Sequence, residues 1–299
     1  MKKLREWANR HSNAVMLTPY VFLFTTFILI PVIVSIGLSF TYFNTIGAPE
    51  FTGLKNYIYL LTNDSVFMQK VLPNTLIYAI CVGAGGYFLS FILAWSLAQL
   101  TKVPRTILAI VLYSPSLTGG VLLSTVWGVV FSGDANGYLN ALLTRLGWIE
   151  QPILWLQSEE YLLPIMILVS LWSSLGIGFL AMLAGILNVN SEIYEAARMD
   201  GVRNRFQEII YITIPSVKPQ MLFGAVMAIV GTFTSSGVGT ILSGANPTPG
   251  YSGQLIVNHM EDFAFIRYEM GYASAIAVVL LILIKLCSDL VNRLLAEKE

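Results

Sequence analysis

Charge is scarce in this chain. Only 11% of its 299 residues are Asp, Glu, Lys or Arg, against about 25% in a soluble domain. Most of its surface therefore does not face water. With 56% hydrophobic residues and a mean hydropathy of +0.70, it reads as an integral membrane protein. The net charge is zero, which argues against nucleic acid as a partner. Cysteine is nearly absent as well. Cys81 and Cys287 fall in separate apolar runs and read as small core hydrophobes, not as a disulfide or redox pair. His11 and His259 sit in different polar segments with no cysteine nearby, so no metal site is suggested.

Reactive motifs are missing too. There is no GxxxxGK[ST] phosphate loop, no HExxH, and no Ser-His-Asp order or acidic dyad in a plausible setting. Gly83-Ala84-Gly85-Gly86 lies within an apolar run and lacks the lysine; it reads as a place of close helix contact. Ionisable groups at mid-membrane, the mark of ion-coupled transporters, are almost absent from the apolar runs. Lys285 and Asp289 lie four apart toward one end of the last run, where they can snorkel or pair. A solute moved uphill by this chain needs energy from another subunit.

What is present is a set of long apolar segments. A helix of ~20 residues crosses a bilayer, and six segments qualify: approximately 15–40, 75–100, 106–131, 161–187, 219–242 and 271–292. The first follows Lys2, Lys3, Arg5 and Arg10, as a signal peptide would. Its apolar run is too long for an h-region, and no small-residue cleavage site follows Leu38-Ser39-Phe40, so it reads as a retained span. The expected fold is all-α and membrane-integral, with about six transmembrane helices in a single domain, 1–299. Thirteen of the seventeen Lys and Arg residues fall in the N-terminus, 101–105, 188–218 and the C-terminal end. That set is expected to be cytoplasmic, with both termini.

The densest charge lies in EIYEAARMDGVRNRFQEIIYITIP, residues 192–215. Ser191 is a helix-capping type, and Glu192 and Glu195 suit a first turn. Gly201 permits a reversal. Phe206, Ile209, Ile210 and Thr213 recur at i, i+3, i+4 and i+7, on one stripe, and Pro215 is expected to end the second helix. The pattern predicts two short helices hinged at Gly201. Two readings stand side by side: an interfacial helix on lipid headgroups, or a stiff knob for a cytosolic partner.

Glu195-Ala196-Ala197-Arg198-Met199-Asp200-Gly201, followed by Ile212-Thr213-Ile214-Pro215, resembles the EAA loop of ABC importer permeases, in the sugar and oligosaccharide, maltose-type branch. Other segments extend the resemblance over nearly the whole chain. They are Phe51-Thr52-Gly53-Leu54-Lys55-Asn56-Tyr57, Asn74-Thr75-Leu76, Tyr113-Ser114-Pro115, Asn136-Gly137-Tyr138-Leu139-Asn140 and Gly271-Tyr272-Ala273-Ser274-Ala275. The interval from Gly201 to the proline is one residue longer than the commonest form. The family's TGGGP is replaced by Ser243-Gly244-Ala245-Asn246-Pro247. The resemblance implies a type I ABC importer permease fold, with a coupling loop at about 188–218. Glu195, Ala196, Ala197, Asp200, Gly201, Arg203 and Phe206 would then meet the ATPase.

It further implies a non-catalytic subunit that binds no cofactor, with ATP and Mg on the partner ATPase. The partners would be a second homologous permease, two ATP-binding subunits and an extracytoplasmic solute-binding protein, with membrane lipid around them and a sugar or oligosaccharide as cargo. A glycerophosphodiester or polyol permease is the nearest alternative, and an ion-coupled secondary transporter a more distant one. Thr232, Ser235, Ser236 and Gly239 recur at i, i+3, i+4 and i+7. They either line a solute path or let helices pack closely. Trp127, Trp172, Ser173 and Ser174 pose the same choice between sugar contact and structural anchoring.

Overall fold

The computed structural model describes residues 12–118 and 120–295. They fall into two compact units, residues 12–63 with 260–279 and residues 64–259 with 280–295. In the first unit, helix α1 (Met16–Leu38) carries exposed apolar side chains along its length, among them Phe22, Phe27 and Ile33. Hydrocarbon suits such a surface, since the helix satisfies its own backbone groups internally. A short hairpin then interrupts the helices. Thr41–Tyr42 (β1) pairs antiparallel with Glu50–Phe51 (β2), Thr41 opposite Phe51. Asn44 initiates the turn between them, its Oδ1 accepting the N–H groups of Ile46 and Gly47. Helix α2 (Lys55–Thr62) follows. The Phe51–Tyr57 motif now has a physical role. Asn56 Nδ2 donates to the carbonyls of Ser39 and Thr41, each at 2.9 Å. Tyr57 Oη donates to Ser39 Oγ at 2.7 Å. Together they pin the end of α1.

The second unit begins with α3 (Phe67–Ala98). It starts eight residues before the expected 75, because Asp64 caps it by accepting the Phe67 N–H at 2.8 Å and because Pro73 is accommodated within it. Next come α4 (Lys102–Tyr113), α5 (Gly120–Val130), α6 (Tyr138–Arg145), α7 (Leu162–Trp172), α8 (Ile177–Leu187), α9 (Ser191–Met199), α10 (Arg205–Ser216), α11 (Lys218–Phe233) and α12 (Val238–Ser243). Helices α13 (Ile256–Glu261) and α14 (Met270–Leu295) complete the chain. Among the described residues four helical stretches are long and apolar enough to span, or up to six if two bent pairs are counted. Two of the expected spans, 106–131 and 219–242, are each broken into two helices, and 161–187 remains one spanning stretch with a short interruption after Trp172.

Prolines account for a second irregularity. In three helices an i→i+5 turn ends two residues before a proline: Thr25–Leu29 before Pro31, Phe67–Val71 before Pro73, and Ile209–Thr213 before Pro215. A proline ring strikes the carbonyl four residues back and supplies no N–H. The carbonyls concerned belong to Phe27, Gln69 and Tyr211, each the middle residue of its wide turn. Widening the helix there lets it continue past the proline.

Among the described residues, two apolar cores lie within the second unit. One joins Phe91 and Leu97 of α3 to Phe179 and Met182 of α8 and Met221 of α11. The other joins Tyr78 and Val82 of α3 to Ile165 and Met166 of α7 and Leu242 of α12.

Candidate functional site

A cavity of about 480 Å³ opens where the two cores meet, lined by residues of both. Its position follows from the helix breaks. Helix α7 ends at Trp172 and α8 starts at Ile177; α11 ends at Phe233 and α12 starts at Val238. Ser173, Ser174, Gly176 and Ser235, from the two interruptions, all line the cavity. Unwound backbone at membrane depth is tolerated where it borders such a space. Gly86 makes the fit possible: a Cβ there would lie 2.8 Å from Ser174 Oγ and 2.9 Å from Ser174 Cβ. The close-contact reading of Gly83–Gly86 is thus realised at this wall.

The lining is rich in hydroxyl groups and contains no Asp, Glu, Lys, Arg or His. Tyr78 Oη donates to Ser170 Oγ at 2.8 Å and lies 3.3 Å from Ser235 Oγ. It therefore ties α3 to the last turn of α7 and to the break after α11. Thr232 Oγ1 donates to the Ala228 carbonyl at 2.6 Å and Ser174 Oγ to that of Leu171 at 2.7 Å. Their lone pairs are left to accept from a neighbour. Tyr87 Oη is buried with no hydrogen-bond partner, although its residue lines the cavity.

Of the pathway residues read from the sequence, Ser173, Ser174, Thr232 and Ser235 line this cavity; Ser236, Trp127 and Trp172 do not. Ser236 is exposed. The two tryptophans meet edge to face at 5.5 Å, and Trp127 also stacks on Phe131, so their rings serve one another. Sequence reasoning missed Tyr78, Ser90 and Ser170. The first two carried a signal: Tyr78, Val82, Gly86 and Ser90 recur every four residues along α3.

The charged stretch 188–218 also forms the expected pair of helices. Asn190, not Ser191, caps α9, its Oδ1 accepting the Glu192 N–H at 3.1 Å. At the far end Gly201 N–H donates to the Arg198 carbonyl and Val202 N–H to that of Ala197. This double closure needs a positive φ at its glycine, and Gly201 has φ +101°. Asn204 caps α10 by accepting the Gln207 N–H at 2.8 Å, and Arg203 N–H donates to Gln207 Oε1 at 2.9 Å.

Glu208 is the residue that sequence reading left without a role. It is buried, receives Arg205 on both carboxylate oxygens at 2.9 and 3.0 Å, and pairs at 4.0 Å with Arg198 of α9. It braces the two helices across the hinge.

The remaining loop residues sort by exposure. Glu195, Ala196, Asp200, Gly201, Arg203 and Phe206 are exposed, and Ala197 is half-buried. The expected stripe divides: Ile209 and Thr213 turn inward, while Phe206 and Ile210 face out. The wide turn at Ile209–Thr213 holds one residue more than an α-turn, so the residues after it are offset from a regular helix. That extra residue also takes up the longer interval noted before Pro215. The proline does not end the helix, which closes at Ser216 and meets α11 at 81°. Among the described residues no cluster of His, Cys, Asp and Glu could hold a metal ion.

Comparison with known proteins follows the same lines. The family model for the binding-protein-dependent transport system inner membrane component matches residues 86–298. The probable ABC transporter permease protein YesP of Bacillus subtilis (strain 168) is 33% identical over 290 residues, covering 96% of this chain and 91% of that one. The arabinooligosaccharides transport system permease protein AraP of the same organism is 32% identical, covering 90% and 84%. A crystal structure of a bacterial alginate ABC transporter, in complex with a periplasmic protein carrying an alginate pentasaccharide, is similar in fold. Its TM-score is 0.78 at 20% identity, covering 97% of this chain and 94% of that one.

Proposed function

We propose, from the premise that this chain belongs to the family of binding-protein-dependent transport system inner membrane components, that it forms half of the membrane pathway of an ATP-driven sugar or oligosaccharide importer. The whole chain, 1–299, acts as one membrane domain with both termini in the cytoplasm. A second homologous permease supplies the other half, and an extracytoplasmic binding protein delivers the solute. Of two ATP-binding subunits, which carry ATP and Mg, one sits against the 188–218 loop.

The observation that carries the substrate class is the cavity at the paired helix breaks, rich in hydroxyls and free of charged side chains. Hydroxyl groups both donate and accept, which suits a polyhydroxylated neutral solute. A phosphate-bearing solute usually calls for a cation in the path, and none lines this space, so the sugar reading is preferred to the glycerophosphodiester one. The oligosaccharide cargo named for AraP agrees with it.

The loop supplies the coupling. Phe206 is 70% exposed and Met199 89% exposed, beside Glu195 and Arg203, and the Glu208 brace keeps this face stiff. A rigid knob in a groove of the ATPase transmits closure of the ATPase pair, because both sites then bias one two-state element.

The complete assembly in proteoliposomes tests this. Uptake of a neutral sugar should require ATP and the binding protein. Changing Thr232 and Ser235 together to alanine should alter solute preference while ATP hydrolysis persists, and Ser236→Ala should be silent. Uptake driven by an ion gradient without ATP, or a Thr232/Ser235 variant with unchanged preference, would overturn the reading.

A further inference from the structure

A second concavity of about 320 Å³ lies between α4 and α8, on the segment-101–105 side of the second unit. Its walls are Thr106, Ala109 and Ile110 from α4 with Leu180, Leu183 and Leu187 from α8; the Thr106 hydroxyl is spent on the Lys102 carbonyl, to which it donates at 2.8 Å. At one end stands Arg105, half-buried. Lys102, one turn earlier on α4, is exposed. Neither cation forms an ion pair among the described residues. From Arg105 the groove runs to Tyr113, eight residues or about 12 Å along the helix. Tyr113 also lines the hydroxyl-rich cavity.

We infer that this groove binds one anionic phospholipid, its acyl chain along the α4–α8 wall and its phosphate on Arg105 and Lys102. The two halves of the site select this occupant together. A sugar finds almost nothing to hydrogen-bond along a wall of leucine and isoleucine. A free phosphate uses the cations and leaves the apolar wall bare. An apolar helix of a neighbouring subunit covers the wall and leaves a half-buried guanidinium unpaired, which is costly. A phospholipid with a net negative head satisfies both, as basic pockets between transmembrane helices do elsewhere. Placing the site in the cytoplasmic leaflet rests on the orientation proposed above; the chemistry of the groove does not.

The test uses the complete transporter purified in detergent and titrated with phosphatidylglycerol, with phosphatidylcholine of the same chains, and with glycerol 3-phosphate, read by native mass spectrometry. Each cation near an anionic headgroup is expected to contribute about five-fold in affinity. Lys102→Ala with Arg105→Ala should therefore weaken the tightest phosphatidylglycerol by about twenty-five-fold and leave phosphatidylcholine unchanged. Ile110→Trp, at an exposed position that fills the groove, should weaken both lipids with the cations intact. Unchanged phosphatidylglycerol affinity in both variants overturns the proposal. So does glycerol 3-phosphate binding as tightly as the lipid, or a map of the assembly with a partner helix in the groove. ATP-dependent uptake, measured on the same preparations in phosphatidylcholine vesicles, separates the two readings. Uptake that persists while lipid selectivity is absent sinks only the lipid site. Selectivity that persists while uptake proves independent of ATP sinks only the importer.

Discussion

Gly201 offers the sharpest perturbation of the loop. Its φ of +101° lies where side-chain-bearing residues are strained, yet a Cβ added there meets nothing within 4 Å. The cost of Gly201→Ala is therefore conformational and not steric, about 1–3 kcal/mol. That energy corresponds to a 5- to 150-fold shift away from the closed turn, in which Gly201 and Val202 N–H groups bond the carbonyls of Arg198 and Ala197. Asparagine tolerates positive φ better than alanine. Proline fixes φ near −65° and also removes the Gly201 N–H. Coupling should accordingly fall in the order glycine, asparagine, alanine, proline. The assay is solute moved per ATP hydrolysed by the reconstituted assembly, with insertion of each variant checked by its yield in the membrane. If the alanine and proline variants insert normally and keep wild-type stoichiometry, or if asparagine is worse than alanine, the turn is not what transmits motion.

Glu208→Ala removes the carboxylate shared by Arg205 and Arg198. With both arginines largely exposed, the expected loss is about 1 kcal/mol, seen as faster amide exchange across 191–208 with no change in the spans. Asn140 is fully buried; it donates to the carbonyls of Ser132, Asp134 and Ile153 and accepts from Ile153 N–H and Trp155 Nε1. Asn140→Ala orphans two donors at about 1–3 kcal/mol each, so proteolysis within 132–157 should accelerate at least tenfold; an unchanged cleavage rate would show that other contacts hold that loop.

The apolar runs were plain in the sequence because hydrocarbon demands length and composition and little else. The breaks inside them were not. Ser173, Ser174 and Gly176, and Thr234–Gly237, are small residues, most of them polar, which is equally the composition of a tight helix crossing. Only the three-dimensional path shows that the helix stops. Thr232 and Ser235 were found by helical periodicity, although Ser235 lies beyond the helix end at Phe233. Ser236 was included by the same periodicity and faces away. The hinge at Gly201 was legible because positive φ has a residue signature. The Glu208 brace was not, since its partners are three and ten residues away on two different helices, and charge order alone does not say which of three arginines a carboxylate meets. Asn190 in place of Ser191 as the cap is a one-residue slip between two suitable residue types.

The wide turn before Pro215 has a bearing on how sequences of this kind can diverge. An additional residue in the 188–218 segment would, in a regular helix, spin everything after it by about 100° and point Thr232 away from the hydroxyl-rich cavity. Here the surplus is absorbed before the 81° corner into α11. The length of that segment can thus drift without re-aiming the side chains that line the cavity, and the loop and the cavity wall are free to diverge separately.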